Sequence, residues 1–397
     1  MKKQYLKILI PLFCIIFLLL INPARPANAQ TQAEKFHSYI KSGIEKTFNM
    51  EFPQANEYFQ KAVELDPENP TGYAFLTTLY LFIYEMSFDE NVRKSYLANT
   101  LRYVDETIFR GEKRLIKNPK DGKAYLAMAL ARSARLNWYT HSKRYLFMAH
   151  EASTIWKCLE KAKEYDPYNY DSYFLTGVFL YHMDNLHGFS RFFSSMLITS
   201  GDRQKGLQEL ELAAQKGDFL KELALSELAA DYMTFEKQPA RALPIARKLK
   251  ETFFNNYNYS FALADNLSDL RRFDEAFNIA NEIERNIRAG RSPYVPQLQP
   301  RYEQLMGRIY FTQGNYAKAE EHLQKALKDT TSYNARVRAW AYLQMGMMND
   351  ARGERAKAED YYFKTLNVKS GEGAAQIYAR KYLKKPYASP GKRLGRS

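Results

Sequence analysis

Cysteine is almost absent from this chain: 397 residues hold two, Cys14 and Cys158. That excludes a disulfide framework, so the fold must be held by packing alone. Cys158 follows Trp156 in a helical run and reads as a buried structural thiol. The motifs of nucleotide binding and hydrolysis are missing too: there is no HExxH, CxxC, Walker loop or GxSxG. Carboxylates are plentiful, but nothing selects a catalytic pair among them, and no enzyme is expected. Histidine is scarce, at six residues: His37, His141, His150, His182, His187 and His322. Only His182 and His187 lie close in sequence, with Asp184 between them. Their spacing does not stack two rings on one helix face as i, i+4 would, so neither a metal nor a cofactor is expected. Strand-like alternation of any length is also missing, which leaves helices.

Acidic side chains are missing from both ends. The first 29 residues carry Lys2, Lys3, Lys7 and Arg25 without an acid, and seven basic residues from Arg380 onward stand equally alone. Of the formal net charge of +14, four and seven units therefore belong to the ends, and the body, 30–379, carries only +3. A nearly neutral body is not the footprint of a nucleic acid binder, and no nucleic acid partner is expected. The basic start, the apolar run Ile8 to Ile21 and Ala27-Asn28-Ala29 stand in the order of a secretory signal peptide, with cleavage between Ala29 and Gln30. The apolar run falls short of the ~20 residues a membrane span needs. Phe13 before Cys14, and the place of Cys14 inside the apolar run, argue against a lipid anchor. The protein is thus expected to be exported, either periplasmic or secreted. Residues 386–397 read as a basic flexible tail able to touch a membrane periphery or another anionic surface.

Aromatic residues, by contrast, are abundant at 15%, which suits helices packed on helices. Pro300 to Asn334 reads as two amphipathic helices around a tight turn. Met306, Gly307 and Tyr310 share a face of the first; Tyr316, Ala319, Leu323 and Ala326 face back along the second. Small residues at Gly307 and Ala319 let the backbones approach, and Asn315 is placed to cap the second helix. Ala55, Phe59, Ala62 and Pro67 repeat a spacing of +4, +3, +5, as do Ile155, Leu159, Ala162 and Pro167. Proline stops a helix at 67, 119 and 167. A unit of about 34 residues with these types at these offsets resembles the tetratricopeptide repeat. The likeness holds for 36–69, 300–334 and 339–369, and less closely for 170–215 and 257–288. The stretch GDRQKGLQELELAAQKG is also similar to a segment of bacterial exported repeat proteins and of a eukaryotic repeat family linked to inclusion-body clearance.

One such unit cannot bury its apolar face alone, so neighbours are required. The expected fold is all-α: a right-handed α-solenoid of about seven to eight helix pairs over 36–370. A signal peptide (1–29) and a short leader (30–35) precede it. A capping helix over 371–385 follows, and an apolar insertion over 185–200 carries Phe189, Phe192 and Phe193. The resemblance implies that the first helix of each unit lines a concave groove. On that basis the groove residues are Arg301, Gln304, Arg308 and Phe311, then Trp340, Leu343 and Met347, and in the fourth unit Phe174 and Tyr181. The expected function is a non-catalytic scaffold of the bacterial cell envelope that binds a protein or peptide in this groove. In it, Arg301 and Arg308 would orient a carboxylate-bearing segment. The alternative is an envelope factor that holds a lipid or small apolar ligand beneath the insertion.

Overall fold

The computed structural model describes residues 31–185 and 201–388. The expected signal peptide, the aromatic residues of the insertion and most of the basic tail lie outside them. Within them the chain is an all-α repeat solenoid of seventeen helices without a strand. None of these helices is long and apolar enough to cross a membrane. In order they are α1 (Gln32–Phe48), α2 (Phe52–Leu65), α3 (Pro70–Met86), α4 (Glu90–Lys117), α5 (Gly122–His141), α6 (Tyr145–Tyr165), α7 (Asp171–Asn185) and α8 (Arg203–Lys216). Then come α9 (Lys221–Thr234), α10 (Pro239–Thr252), α11 (Tyr257–Asp269), α12 (Phe273–Arg288), α13 (Gln299–Gln313), α14 (Tyr316–Leu327), α15 (Ala335–Arg352), α16 (Arg355–Leu366) and α17 (Ala374–Lys384). They pair in sequence as eight antiparallel hairpins, with α17 packed on the last.

The three X-Pro stops work as one device. Helices α2, α4 and α6 end at Leu65, Lys117 and Tyr165, immediately ahead of Asp66-Pro67, Asn118-Pro119 and Asp166-Pro167. Each proline removes an amide and ends the helix. The backbone N–H of Asn69, Asp121 or Asn169 then donates to the carbonyl of residue 66, 118 or 166, all at 3.1 Å. The same residue opens the next helix, as when Asp121 accepts from the amide of Ala124 at 3.0 Å. Asn315 caps α14 in the expected way, accepting from the amide of Lys318 at 3.2 Å. Gly314 before it takes φ +93°, a conformation only glycine adopts freely.

Inside four of the pairs, those opened by α1, α7, α13 and α15, a missing side chain on the first helix receives a ring or branched residue from the second. A Cβ on Gly307 would stand 2.6 Å from Leu323, and one on Gly346 would stand 2.4 Å from the Tyr362 ring. Tyr362, Leu323 and, in the first unit, Phe59 are fully buried. Truncating such a core aromatic typically costs about 3–5 kcal/mol. Cys158 is buried as expected, and burial pushes its thiol pKa up, which keeps it unreactive.

The array coils back upon itself. Phe48 of α1 packs on Phe253 after α10 with ring centres 5.4 Å apart, and Asn256 donates to the Phe48 carbonyl at 2.8 Å. At the other end, the Tyr378 hydroxyl of α17 donates to the Thr234 carbonyl at the end of α9. The capping helix therefore bridges the second half of the solenoid.

Candidate functional site

The first helices of successive pairs, α9, α11, α13 and α15, line the concave side of that second half, and α17 closes it. Between them lies a cavity of about 670 Å³. Gln304, Arg308 and Phe311 reach it from α13, and Trp340, Leu343 and Met347 from α15. Three other residues named from the sequence stand elsewhere. Arg301 is absent from the lining: it donates to Asn258 and stacks its guanidinium 4.2 Å above the Phe261 ring. Burial pulls its pKa down. Phe174 and Tyr181 are buried within the solenoid, and the Tyr181 hydroxyl donates to Glu236 at 2.8 Å. Their positions on α7 face the neighbouring pair, because the fourth unit packs its first helix on both α8 and α9.

The charges of the cavity are arranged differently from the sequence expectation. Arg308 is not free to receive a ligand carboxylate. It binds Asp269 through both carboxylate oxygens at 2.8 and 2.9 Å and reaches Asp265 at 3.4 Å. Burial alone would lower the pKa of this guanidinium, but the two carboxylates outweigh it and hold the group charged. Both acids lie on α11, one helical turn apart, so they present a single acidic face to α13. One available cation is Lys237, just beyond α9. Among the described residues no carboxylate comes within ion-pair distance of it, and its ammonium rests 4.4 Å above the Tyr378 ring. The surrounding protein, and Arg308 after it, push the Lys237 pKa down to about 8.

Aromatic rings close the mouth. Trp340 faces Tyr378 with ring centres 6.4 Å apart, and Phe311 meets Tyr387 at 5.9 Å. Tyr387 belongs to the stretch read from the sequence as flexible tail, yet it is fixed. Its backbone N–H donates to Asp350 at 2.8 Å, and Asp350 also receives the Tyr362 hydroxyl at 2.7 Å and Arg355 at 3.1 Å. A buried carboxylate with several donors is a strong anchor for a chain end.

The regular pairs that build this cavity also carry a recognisable sequence. Residues 302–370 match the family model of the tetratricopeptide repeat. This stretch of the chain is tetratricopeptide repeat. Such repeats generally mediate protein–protein interaction. Among solved structures, a tetratricopeptide repeat protein from Parabacteroides merdae is similar at 14% identity over 88% of this chain and 98% of that one, with a TM-score of 0.31. The human IFIT1 dimer with m7Gppp-AAAA is similar at 13% identity over 90% and 88%, with a TM-score of 0.41. No relative was found among curated proteins. The tetratricopeptide assignment rests on the match at 302–370, which falls on α13 to α16 and the residues just after them.

Sequence reasoning missed Lys237, Tyr378 and Tyr387. Lys237 follows a helix in an irregular unit, and the two tyrosines sit where a cap and a tail were expected. The alternation of tyrosines and basic residues in Tyr378-Ala379-Arg380-Lys381-Tyr382 was the available signal, since a solvated cap has little use for two large rings on one face.

Proposed function

We propose that this protein is a non-catalytic scaffold that holds a segment of a partner protein in the α9–α17 cavity. The observation that carries this is convergence: six groove positions on two consecutive repeats meet in one aromatic-walled space beside an unpaired lysine. Aromatic residues at the centre of a concave surface supply most of the energy in such contacts. The segment it fits best presents an apolar side chain to Trp340 and Met347 and a carboxylate to Lys237. Arg308, in this reading, keeps the α11–α13 seam closed and does not touch the partner.

A second reading keeps a lipid or small apolar ligand but seats it in this cavity instead of beneath the 185–200 insertion. It is supported by the closure of the cavity by α17, and by its volume, which lies within the roughly 300–1,000 Å³ of small-molecule sites. A photo-reactive residue in place of Trp340 separates the two: a polypeptide adduct sustains the first reading and a lipid adduct the second. The proposal also locates the protein outside the cytoplasm, at the cell envelope, on the strength of its amino-terminal basic, apolar and Ala27-Asn28-Ala29 pattern. Amino-terminal sequencing of the mature chain tests this; a first residue of Gln30 supports it and an intact Met1 overturns it.

A further inference from the structure

Away from the cavity, His182 of α7 meets Glu227 and Asp231 of α9. The two carboxylates stand one turn apart and share a helix face. Packing of α7 on α9 brings the imidazole to them from 45 residues away. His182 Nε2 lies 2.6 Å from Glu227 Oε1 and 3.8 Å from Asp231 Oδ1. One donor atom from each of the three falls within 4.8 Å of the other two. The His182 ring is held edge-on by Tyr181 and Phe235, at 5.1 and 6.0 Å between centres.

One member of the group has no explanation in the packing. The Asp231 side chain is 2% exposed, and its Oδ2 has no hydrogen-bond partner. A buried carboxylate oxygen without a donor is destabilising, and Glu227 adds a second negative charge beside it. Arg203, whose charge acts on Asp231, is engaged by Glu236 at 2.8 Å and by the Phe235 carbonyl at 3.1 Å.

We propose that His182, Glu227 and Asp231 form a binding site for one divalent transition-metal ion, with zinc the best fit. One imidazole nitrogen and two carboxylate oxygens are a familiar zinc donor set, and their two negative charges match the ion. Zinc bonds of 2.0–2.2 Å set donor atoms about 3.3 Å apart, so the pair at 2.6 Å opens and the pair at 3.8 Å closes by less than about 1 Å. His182 and Glu227 are about a third exposed, which leaves room for water to complete the coordination. The ion would tie the fourth helix pair to the fifth.

The test uses untagged full-length protein, stripped with a chelator and titrated with zinc by calorimetry. The expected result is one zinc per chain and a melting temperature several degrees higher with the ion. In Asp231→Asn and His182→Gln, affinity should fall by more than the roughly 10- to 100-fold that follows loss of a mere supporting partner. Helix content by circular dichroism should be unchanged in both. Should either buried substitution prevent folding, Glu227→Gln at the partly exposed donor repeats the measurement. Absence of saturable zinc binding, or equal affinity in the variants, overturns the proposal. The cluster would then be a protonated Asp231 beside a His182–Glu227 ion pair, and Asp231→Asn would stabilise the metal-free protein.

Discussion

Residues 302–370 and residues 90–165 are built from the same hairpin, but they come out differently. In the first stretch α13 and α14 have 15 and 12 residues, and α15 and α16 have 18 and 12. In the second, α4, α5 and α6 have 28, 20 and 21. Short matched pairs keep their first helices side by side and converge on a cavity. The long helices carry several large apolar side chains in water: Phe109 is 60% exposed, Ile116 82%, Leu146 70% and Phe147 57%, against the single Phe363 at 55% in the first stretch.

The sharpest test of this difference concerns glycine. Gly346→Ala drives a Cβ into the buried Tyr362 ring, which has nowhere to move, and should lower stability by about 2–3 kcal/mol in urea unfolding. Gly111→Ala in α4 meets Met128 at a similar 2.5 Å. That thioether can bend away, and leaving glycine behind gains about 1 kcal/mol within a helix, so the net change should be near zero. Equal costs at the two sites would remove the contrast between tight and loose pairs. Binding comes next in size. Trp340→Ala should weaken partner affinity by about 2 kcal/mol, roughly 30-fold, while Phe147→Ala at the exposed start of α6 leaves it unchanged. A matching loss from Phe147→Ala would move recognition out of the regular units.

Two smaller effects sharpen the account of the regular units. Asn315→Ala removes the cap of α14 and should cost about 1 kcal/mol, read as a lower denaturation midpoint at constant m-value. Glu303 shows the electrostatic side. Burial raises its pKa, but hydrogen bonds from His322 and Gln299 outweigh burial, and the net shift is downward. A carboxyl lowered in the folded state gives stability that is present above its unfolded pKa of about 4.3 and lost as pH falls through the folded value. Wild type should therefore lose more stability than Glu303→Gln between pH 5 and pH 3, by the smallest margin of the four.

The helical class, the hairpin boundaries at Pro67, Pro119 and Pro167, and the close approach at Gly307 were legible because each is set within one repeat. The inward positions on α13 and α15, Arg301 apart, followed from the resemblance to the repeat, whose first helices line the groove. Arg308 was misjudged because its partners, Asp265 and Asp269, come from the preceding unit, and only the twist between units decides which charges meet. Phe174 and Tyr181 were misjudged because the fourth unit departs from the regular length. The meeting of His182 with Glu227 and Asp231 has the same origin: no local spacing announces it.

The contact of Tyr378 with Thr234 joins residues 144 apart. An open repeat array touches only nearest neighbours, so it can fold from any point and fray from either end. A latch of this reach changes that behaviour. It raises the sequence separation over which contacts must form, which slows folding, and it ties the melting of the final units to that of the middle ones. Because α17 is made after the helices it bridges, the cavity it closes stays open while they leave the ribosome.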